Sequence, residues 1–214
     1  MKKILLFVLV FSFCRLYGQH TDKSLYLSGN VGIYKSTGNT TYRNLGSSRI
    51  GGGIGLGFRL LDNVFFYSRA QYISKSDFSG YYDNSYIDPD LAVVHVVRPA
   101  GVASASVSQL IVNSGLQYNI YNSKEFIIGL LAGLTYTMID QEARSSSGII
   151  INKINNQGYY GYFGGANIEK YFRNSDVTLF AEVLYNYIDE NSLYFRDAFS
   201  GMNFTIGGRY YLAD

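Results

Sequence analysis

A two-residue alternation between apolar and small or polar side chains recurs in eight separate runs of this 214-residue sequence. Alternation at this period predicts β-strands with one apolar and one polar face. It is clearest between Arg49 and Leu61, where Ile, Leu and Phe alternate with glycines and Arg59. Every run reaches the roughly 9 to 11 residues that a tilted strand needs to cross a bilayer. The predicted strands are Ser24–Tyr34, Arg49–Leu61, Val64–Lys75, Ser108–Tyr121, Glu125–Asp140, Gly158–Tyr171, Val177–Ile188 and Gly201–Leu212.

The connections between these strands alternate in length. Tight turns are predicted at 62–63, 122–124 and 173–176, and long polar loops at 35–48, 76–107, 141–157 and 189–200. No helical pattern intervenes, which excludes parallel βαβ units. Because hydrocarbon offers no partner to a backbone N–H or C=O, a sheet that spans it must close on itself. The sequence therefore predicts an all-β fold, an eight-stranded antiparallel up-and-down transmembrane β-barrel with short periplasmic turns and long extracellular loops.

The composition agrees with a barrel in a membrane. Only 16% of the residues are charged, while 21 Tyr, 14 Phe and 23 Gly accompany two Pro. Aromatic residues gather near both strand ends, where interfacial girdles are expected. Those toward the turns are Phe58, Phe66, Tyr118, Phe126 and Tyr210, and those toward the loops are Tyr72, Tyr136, Tyr160, Tyr162, Tyr185 and Tyr187. The 18 Lys and Arg nearly balance the 16 Asp and Glu, which argues against a nucleic-acid partner.

The N-terminal segment has the pattern of a secretory signal peptide. Lys2 and Lys3 precede an apolar run of ten residues, 4–13, and a short exit ends at Gly18. We expect residues 1–18 to be a signal peptide that is cleaved near Gly18/Gln19, and residues 19–214 to be the barrel domain. Acylation of Cys14, the single cysteine, is an alternative, although Phe11 and Phe13 stand where lipoprotein signals usually carry small residues.

Two segments resemble a known family. In 55–67 a Gly-rich strand meets an aromatic strand at the Asp62-Asn63 turn, and the final strand carries a Thr-x-Gly-x-x-Tyr-x-Leu pattern. The chain resembles the small bacterial outer-membrane β-barrels of the outer membrane protein A transmembrane-domain and outer membrane protein X type. The resemblance implies residence in the bacterial outer membrane, in contact with its lipid. It also implies that the assembly machinery recognises the last strand through Thr205, Gly207, Tyr210 and Leu212, although Ala213 and Asp214 replace the family's common terminal aromatic residue.

Five charged residues have the parity of the inward face: Arg59, Arg69, Glu169, Glu182 and Arg209. In an eight-stranded ring the second and third strands lie opposite the sixth and seventh, so we expect Arg59 and Arg69 to meet Glu169 and Glu182. Charges in so narrow a space must pair, because an isolated buried charge is costly. This polar network is either a structural plug or a gated ion path.

The 76–107 loop contains an apolar, β-prone run, 91–97, between Pro89 and Pro99. An exposed strand edge there would accept a strand from an extracellular protein partner. The candidate contact residues are Tyr81, Tyr82, Tyr86, Leu91, Val93, Val94, His95, Val96 and Val97. The alternative is that the run packs on the barrel mouth.

No motif predicts an enzyme, a cofactor or a metal. His95 has valines and no Ser on either side, and the nearby Asp83, Asp88 and Asp90 lack the Gly and the closing Glu of a calcium loop. The glycines of 51–57 do not form a G-x-G-x-x-G motif and no helical pattern follows them.

The sequence therefore favours a non-enzymatic integral outer-membrane barrel with envelope-structural and surface-contact roles. One alternative is a small pore or transport-associated barrel that uses the lumen charges. Another is a soluble, secreted, lipocalin-like carrier with its apolar face inward. The carrier requires Arg and Glu on the outside and is disfavoured by the alternation.

Overall fold

The computed structural model describes residues 24–37, 48–80, 85–87, 94–96, 103–123, 125–144, 150–172, 175–189 and 199–212. These residues form ten strands and no helix. The strands are β1 (Leu25–Ser36), β2 (Ser48–Leu61), β3 (Val64–Gly80), β4 (Ser85–Ile87), β5 (Val94–Val96), β6 (Ala103–Asn122), β7 (Phe126–Arg144), β8 (Ile150–Tyr171), β9 (Val177–Ile188) and β10 (Gly201–Leu212).

Eight of the strands close into an antiparallel barrel in the order β1-β10-β9-β8-β7-β6-β3-β2. The first and last strands complete the ring, from the Leu25–Leu212 pair to the Ser36–Gly201 pair. Strands β4 and β5 form a separate two-stranded sheet within the 76–107 segment. The predicted fold class is confirmed: the chain forms an eight-stranded up-and-down transmembrane barrel. We call the end that carries the Asp62-Asn63 turn the turn rim and the opposite end the loop rim.

The outer face of the barrel is apolar, as the alternation predicts. Ile54 and Leu134 are each 73% exposed at the centres of their strands. Other exposed apolar residues include Leu27, Val31, Leu116, Leu130, Leu179, Phe204 and Ile206. A continuous apolar surface of this kind is stable in hydrocarbon and not in water. This arrangement contradicts the soluble-carrier alternative, because a carrier needs the apolar face inside.

Aromatic pairs lie near both ends of the outer face. Phe58 and Phe66 stack on adjacent strands near the turn rim, with ring centroids 4.9 Å apart. Tyr162 and Tyr187 stack at 4.7 Å toward the loop rim. Aromatic rings at these two levels suit the girdles that flank the apolar band of an outer-membrane barrel.

The barrel interior contains apolar side chains as well as polar ones. Tyr67, Leu131, Phe163 and Leu184 form one buried cluster. Two further clusters comprise Tyr26, Phe65 and Tyr211, and Tyr34, Ile73 and Ile111. The expectation of a purely small or polar inward face is wrong at these positions. The interior of an eight-stranded barrel is narrow enough for side chains to fill it, and large inward-facing residues contribute to that filling.

Four adjacent strands extend beyond their predicted ends on the loop rim. Within the predicted 76–107 loop, Ser76–Gly80 of β3 pairs with Ala103–Val107 of β6. Within the predicted 141–157 loop, 141–144 of β7 pairs with 150–154 of β8. We call this extension, comprising residues 76–80, 103–107, 141–144 and 150–157, the outer wall. Its sequence lacks a large apolar residue at every second position, which is why the alternation did not predict it.

Candidate functional site in the lumen and the outer wall

Arg69 and Glu182 form a buried ion pair across the lumen. Arg69 lies on β3 and Glu182 on β9, which occupy opposite positions in the ring. The Arg69 Nη1 atom donates hydrogen bonds to Glu182 Oε1 and, at 3.1 Å, to Thr205 Oγ1. The Tyr67 hydroxyl also donates to Glu182 Oε1, at 3.1 Å. The pair therefore links opposite walls of the barrel.

A second buried ion pair lies nearer the turn rim. Arg209 Nη1 donates to Glu169 Oε2 at 2.6 Å. Thr178 and Tyr211 donate to the other oxygen of Glu169, Tyr211 at 2.9 Å. The Arg209 guanidinium also lies 4.6 Å from the Tyr26 ring centroid. Glu169 thus has three donors and its buried charge is well compensated.

Arg59 does not form the ion pair that its parity suggested. Its guanidinium lies 5.4 Å from the Phe65 ring centroid, and no carboxylate in the described part of the chain is within salt-bridge distance. Glu169 pairs with Arg209 instead, because β10 lies only two places from β8 in the ring.

A further buried arginine, Arg49, was missed in the sequence. Arg49 is 1% exposed and lies toward the loop rim, where its Nη2 atom donates to Gln109 Oε1 at 2.8 Å. The same atom lies 3.4 Å from Ser36 Oγ. Its position two residues before Gly51, on the same face of β2, was the signal that would have identified it.

Several donors around Arg49 have no hydrogen-bond partner among the described residues. These are the Nε and Nη1 atoms of Arg49 and the Nε2 atom of Gln109. Each buried donor without a partner costs about 1 to 3 kcal/mol. Within the described residues, the fully buried arginines Arg49, Arg69 and Arg209 outnumber the buried carboxylates Glu169 and Glu182. Within the described residues, Arg49 is therefore the buried arginine without a carboxylate partner.

The candidate contact loop is described only in part. Tyr86 of β4 pairs with His95 of β5, and Val94 and Val96 are also in β5. The apolar run is thus paired on one side with a strand of its own loop. Tyr81, Tyr82, Leu91, Val93 and Val97 lie outside the described residues, as do Cys14, Asp83, Asp88 and Asp90.

The outer wall has two edges that extend past their barrel neighbours. Pairing between β2 and β3 ends at Gly51–Ile73, and pairing between β8 and β9 begins at Gly161–Ile188. Among the described residues, Ser76–Gly80 and 150–157 therefore have a strand neighbour on one side only. The β8 edge is interrupted by a register shift at which Asn156 adopts a positive φ of 46°.

The residues of the proposed assembly signal lie on β10. Thr205 points into the lumen and contacts Arg69, whereas Tyr210 is 49% exposed on the outer face. Gly207 and Leu212 pair with Asn30 and Leu25 of β1.

Neither a helical membrane anchor nor a metal centre is found in the described parts of the chain. No helix there is long and apolar enough to cross a bilayer. Likewise, no group of three or more His, Cys, Asp or Glu side chains in those segments could hold a metal ion.

Comparison with known proteins supports the fold. No family model and no curated protein matches the sequence. The structure is similar to a major outer membrane protein from Thermus thermophilus, with a TM-score of 0.57, 12% identity, and coverage of 90% of this chain and 100% of the other. It is also similar to the outer membrane protein OprG from Pseudomonas aeruginosa (TM-score 0.55, 12% identity, 91% and 98% coverage) and to Neisserial surface protein A (0.51, 12%, 90% and 100%). The chain therefore has the fold of the small outer-membrane β-barrels.

Proposed function

We propose that this protein is a non-enzymatic integral protein of the bacterial outer membrane that anchors a β-sheet wall for contacts at the cell surface. The observation that carries the proposal is the difference in strand length around the ring. Strands β6, β7 and β8 contain 20, 19 and 22 residues, whereas β1, β9 and β10 contain 12 each. A tilted strand needs about 9 to 11 residues to cross a bilayer, so one side of the barrel extends well beyond it.

The membrane-spanning part has the properties of a rigid anchor. The Arg69–Glu182 pair joins opposite walls, and the cluster of Tyr67, Leu131, Phe163 and Leu184 packs beside it. Side chains that fill and cross-link the lumen resist the flow of ions and the collapse of the barrel. This packing supports a structural role for the lumen charges Arg59, Arg69, Glu169, Glu182 and Arg209.

The outer wall has the properties of a contact surface. It displays two strand edges, and strand edges pair readily with another chain. The segment between β3 and β6 carries Tyr81, Tyr82 and Tyr86 and the 91–97 run. Tyrosine offers a large contact area together with a polar group, which suits recognition of an extracellular protein.

The proposed route to the membrane uses both ends of the chain. Residues 1–18 direct export and are removed near Gly18/Gln19. The last strand, through Thr205, Gly207, Tyr210 and Leu212, is then recognised by the outer-membrane assembly machinery. The apolar outer face of the barrel completes insertion into the lipid.

The test compares the full protein with a variant that lacks the outer end of one hairpin. Ser76 and Val107 are register partners, so residues 77–106 can be replaced by an Asn-Gly turn that joins them. A control variant has residues 38–47 replaced by a Gly-Ser linker. Bacteria that display each protein are assayed for attachment to wells coated with collagen, laminin or mucin, and for cell–cell aggregation.

We expect the wild-type and control proteins to promote attachment or aggregation and the hairpin variant to lose the effect. All three should keep the gel mobility of a folded barrel, which separates loss of contact from loss of folding. Equal adhesion by the wild-type protein and the hairpin variant would refute the contact role, as would wild-type adhesion no greater than that of cells without the protein.

The pore alternative has one specific observation in its favour, the excess of buried arginine over buried carboxylate. A conducting lumen of this charge would select anions. Recording from the purified protein in planar bilayers separates the two functions. We expect no stable unit conductance, whereas steps whose size changes on replacing Arg69 and Glu182 would support the pore.

A further inference from the structure

A cluster of hydrogen-bonding side chains lies in the lumen near the loop rim. We call Ser36, Arg49 and Gln109 the outer-mouth site. Gly52 pairs with Tyr72 of the outer aromatic level, and Arg49 lies three residues farther toward the loop rim on the same strand. The site is therefore at the end of the lumen that is nearest to the loops.

The Arg49 side chain is held in place from two directions. Its Nη2 atom donates to Gln109 Oε1 at 2.8 Å and lies 3.4 Å from Ser36 Oγ. Its guanidinium lies 5.3 Å from the ring centroid of Tyr34, which packs in a buried cluster with Ile73 and Ile111. Three strands thus position one guanidinium in a largely water-excluded part of the lumen.

The site has positive charge and donors in excess of its acceptors. In the part of the chain that the structure describes, the Arg49 Nε and Nη1 atoms and the Gln109 Nε2 atom have no hydrogen-bond partner. Arg69 and Arg209 are each neutralised by a glutamate, but no salt bridge to Arg49 is found within the described residues. A buried guanidinium without a counter-charge is strongly unfavourable, so an anion that fills this position has a large stabilising effect.

We propose that the outer-mouth site binds a small oxyanion, a phosphate or a carboxylate, through Arg49 and Gln109. An oxyanion has several acceptor oxygens and a negative charge, which match the unpaired donors and the guanidinium. The site faces the lumen and not the lipid, so its ligand is a small solute or an acidic group that enters from the loop rim. The inference is independent of whether the barrel conducts and of whether the outer wall mediates adhesion.

The proposal is tested by calorimetric titration of the full protein, folded in detergent at low ionic strength, with sodium phosphate and separately with sodium acetate. Arg49→Met removes the charge and the donors while keeping a long apolar stem. Gln109→Glu keeps Arg49 but places a carboxylate beside it. The new glutamate side chain then takes the position of the bound anion. Arg144→Gln is the matched control, because Arg144 is exposed on the outer wall and already pairs with Glu142 at 2.5 Å.

We expect the wild-type protein and the Arg144→Gln control to bind phosphate, acetate or both, and the other two variants to bind at least about tenfold more weakly. In the absence of added anion, Gln109→Glu should also raise the unfolding temperature. That rise shows that the variant is folded, so its weaker anion binding does not result from misfolding. Absence of binding to both anions by the wild-type protein would overturn the proposal. Undiminished binding by Arg49→Met or by folded Gln109→Glu would overturn it as well.

Discussion

Arg69 on β3 and Glu182 on β9 form a salt bridge between strands that face each other across the barrel. The side chains of both residues are at most 2% exposed. An ion pair in this position has a structural role in the barrel. The ion pair links two walls that are distant around the ring.

Replacing one residue of this pair should destabilise the barrel much more than replacing both. We expect Arg69→Met to destabilise the folded barrel by about 3 to 5 kcal/mol, because Glu182 is left as a buried, uncompensated charge. The double variant Arg69→Met/Glu182→Met should lie close to the wild-type stability. Urea unfolding in lipid vesicles measures the difference. Equal losses for the single and double variants would contradict the account, and Arg144→Gln should change stability by less than about 1 kcal/mol.

A charged residue introduced on the outer face should destabilise the barrel, as it does on a lipid-facing surface. Ile54 is 73% exposed at the centre of β2. We expect Ile54→Arg to destabilise the barrel in vesicles by about 2 to 4 kcal/mol, since the guanidinium enters hydrocarbon near the midplane.

Ile150 provides the control for this prediction, because it is 48% exposed but lies on the outer wall. Ile150→Arg should change the free energy of unfolding by less than about 0.5 kcal/mol, as at an ordinary surface position. If both substitutions prove equally harmless, Ile54 does not face lipid.

Gly115 on the inner face and Gly29 on the outer face differ in the space available for a side chain. A Cβ atom at Gly115 would meet the Ala132 carbonyl oxygen at 2.2 Å and the Gly133 Cα atom at 2.6 Å, whereas a Cβ at Gly29 meets nothing within 4 Å. Because the Gly115 contacts are backbone atoms, no side-chain rotation relieves them. We expect Gly115→Ala to cost about 1 to 3 kcal/mol and Gly29→Ala to be neutral, as measured by the same urea transitions. A tolerated alanine at Gly115 would mean that the β6–β7 approach is looser than described.

The fold could be predicted because the membrane enforces a simple rule on each strand. Residues 50–60 alternate regularly, since one face of β2 meets lipid and the other meets a narrow lumen. The alternation does not predict the strand extensions on the loop rim. Residues 103–107 and 150–157 lack a large apolar residue at every second position, so the sequence predicts loops there although they belong to β6 and β8.

The site was less accessible to sequence reasoning than the fold. Parity placed Arg69 and Glu182 on the inner face, but it could not show that Glu169 would pair with Arg209 and leave Arg59 beside Phe65. Those partners depend on the stagger of the strands and on the reach of each side chain. The interior positions of Tyr67 and Phe163 were also missed, because aromatic residues suit a lipid interface equally well.

The most direct test of the central claim, that the chain is a lipid-embedded barrel, is its gel mobility with and without boiling after expression of the full chain and fractionation of the envelope. The account predicts that the protein is in the outer-membrane fraction and that the unboiled form migrates differently from the boiled form, since a closed barrel resists detergent unfolding. A soluble protein whose mobility is unchanged by boiling would contradict the account.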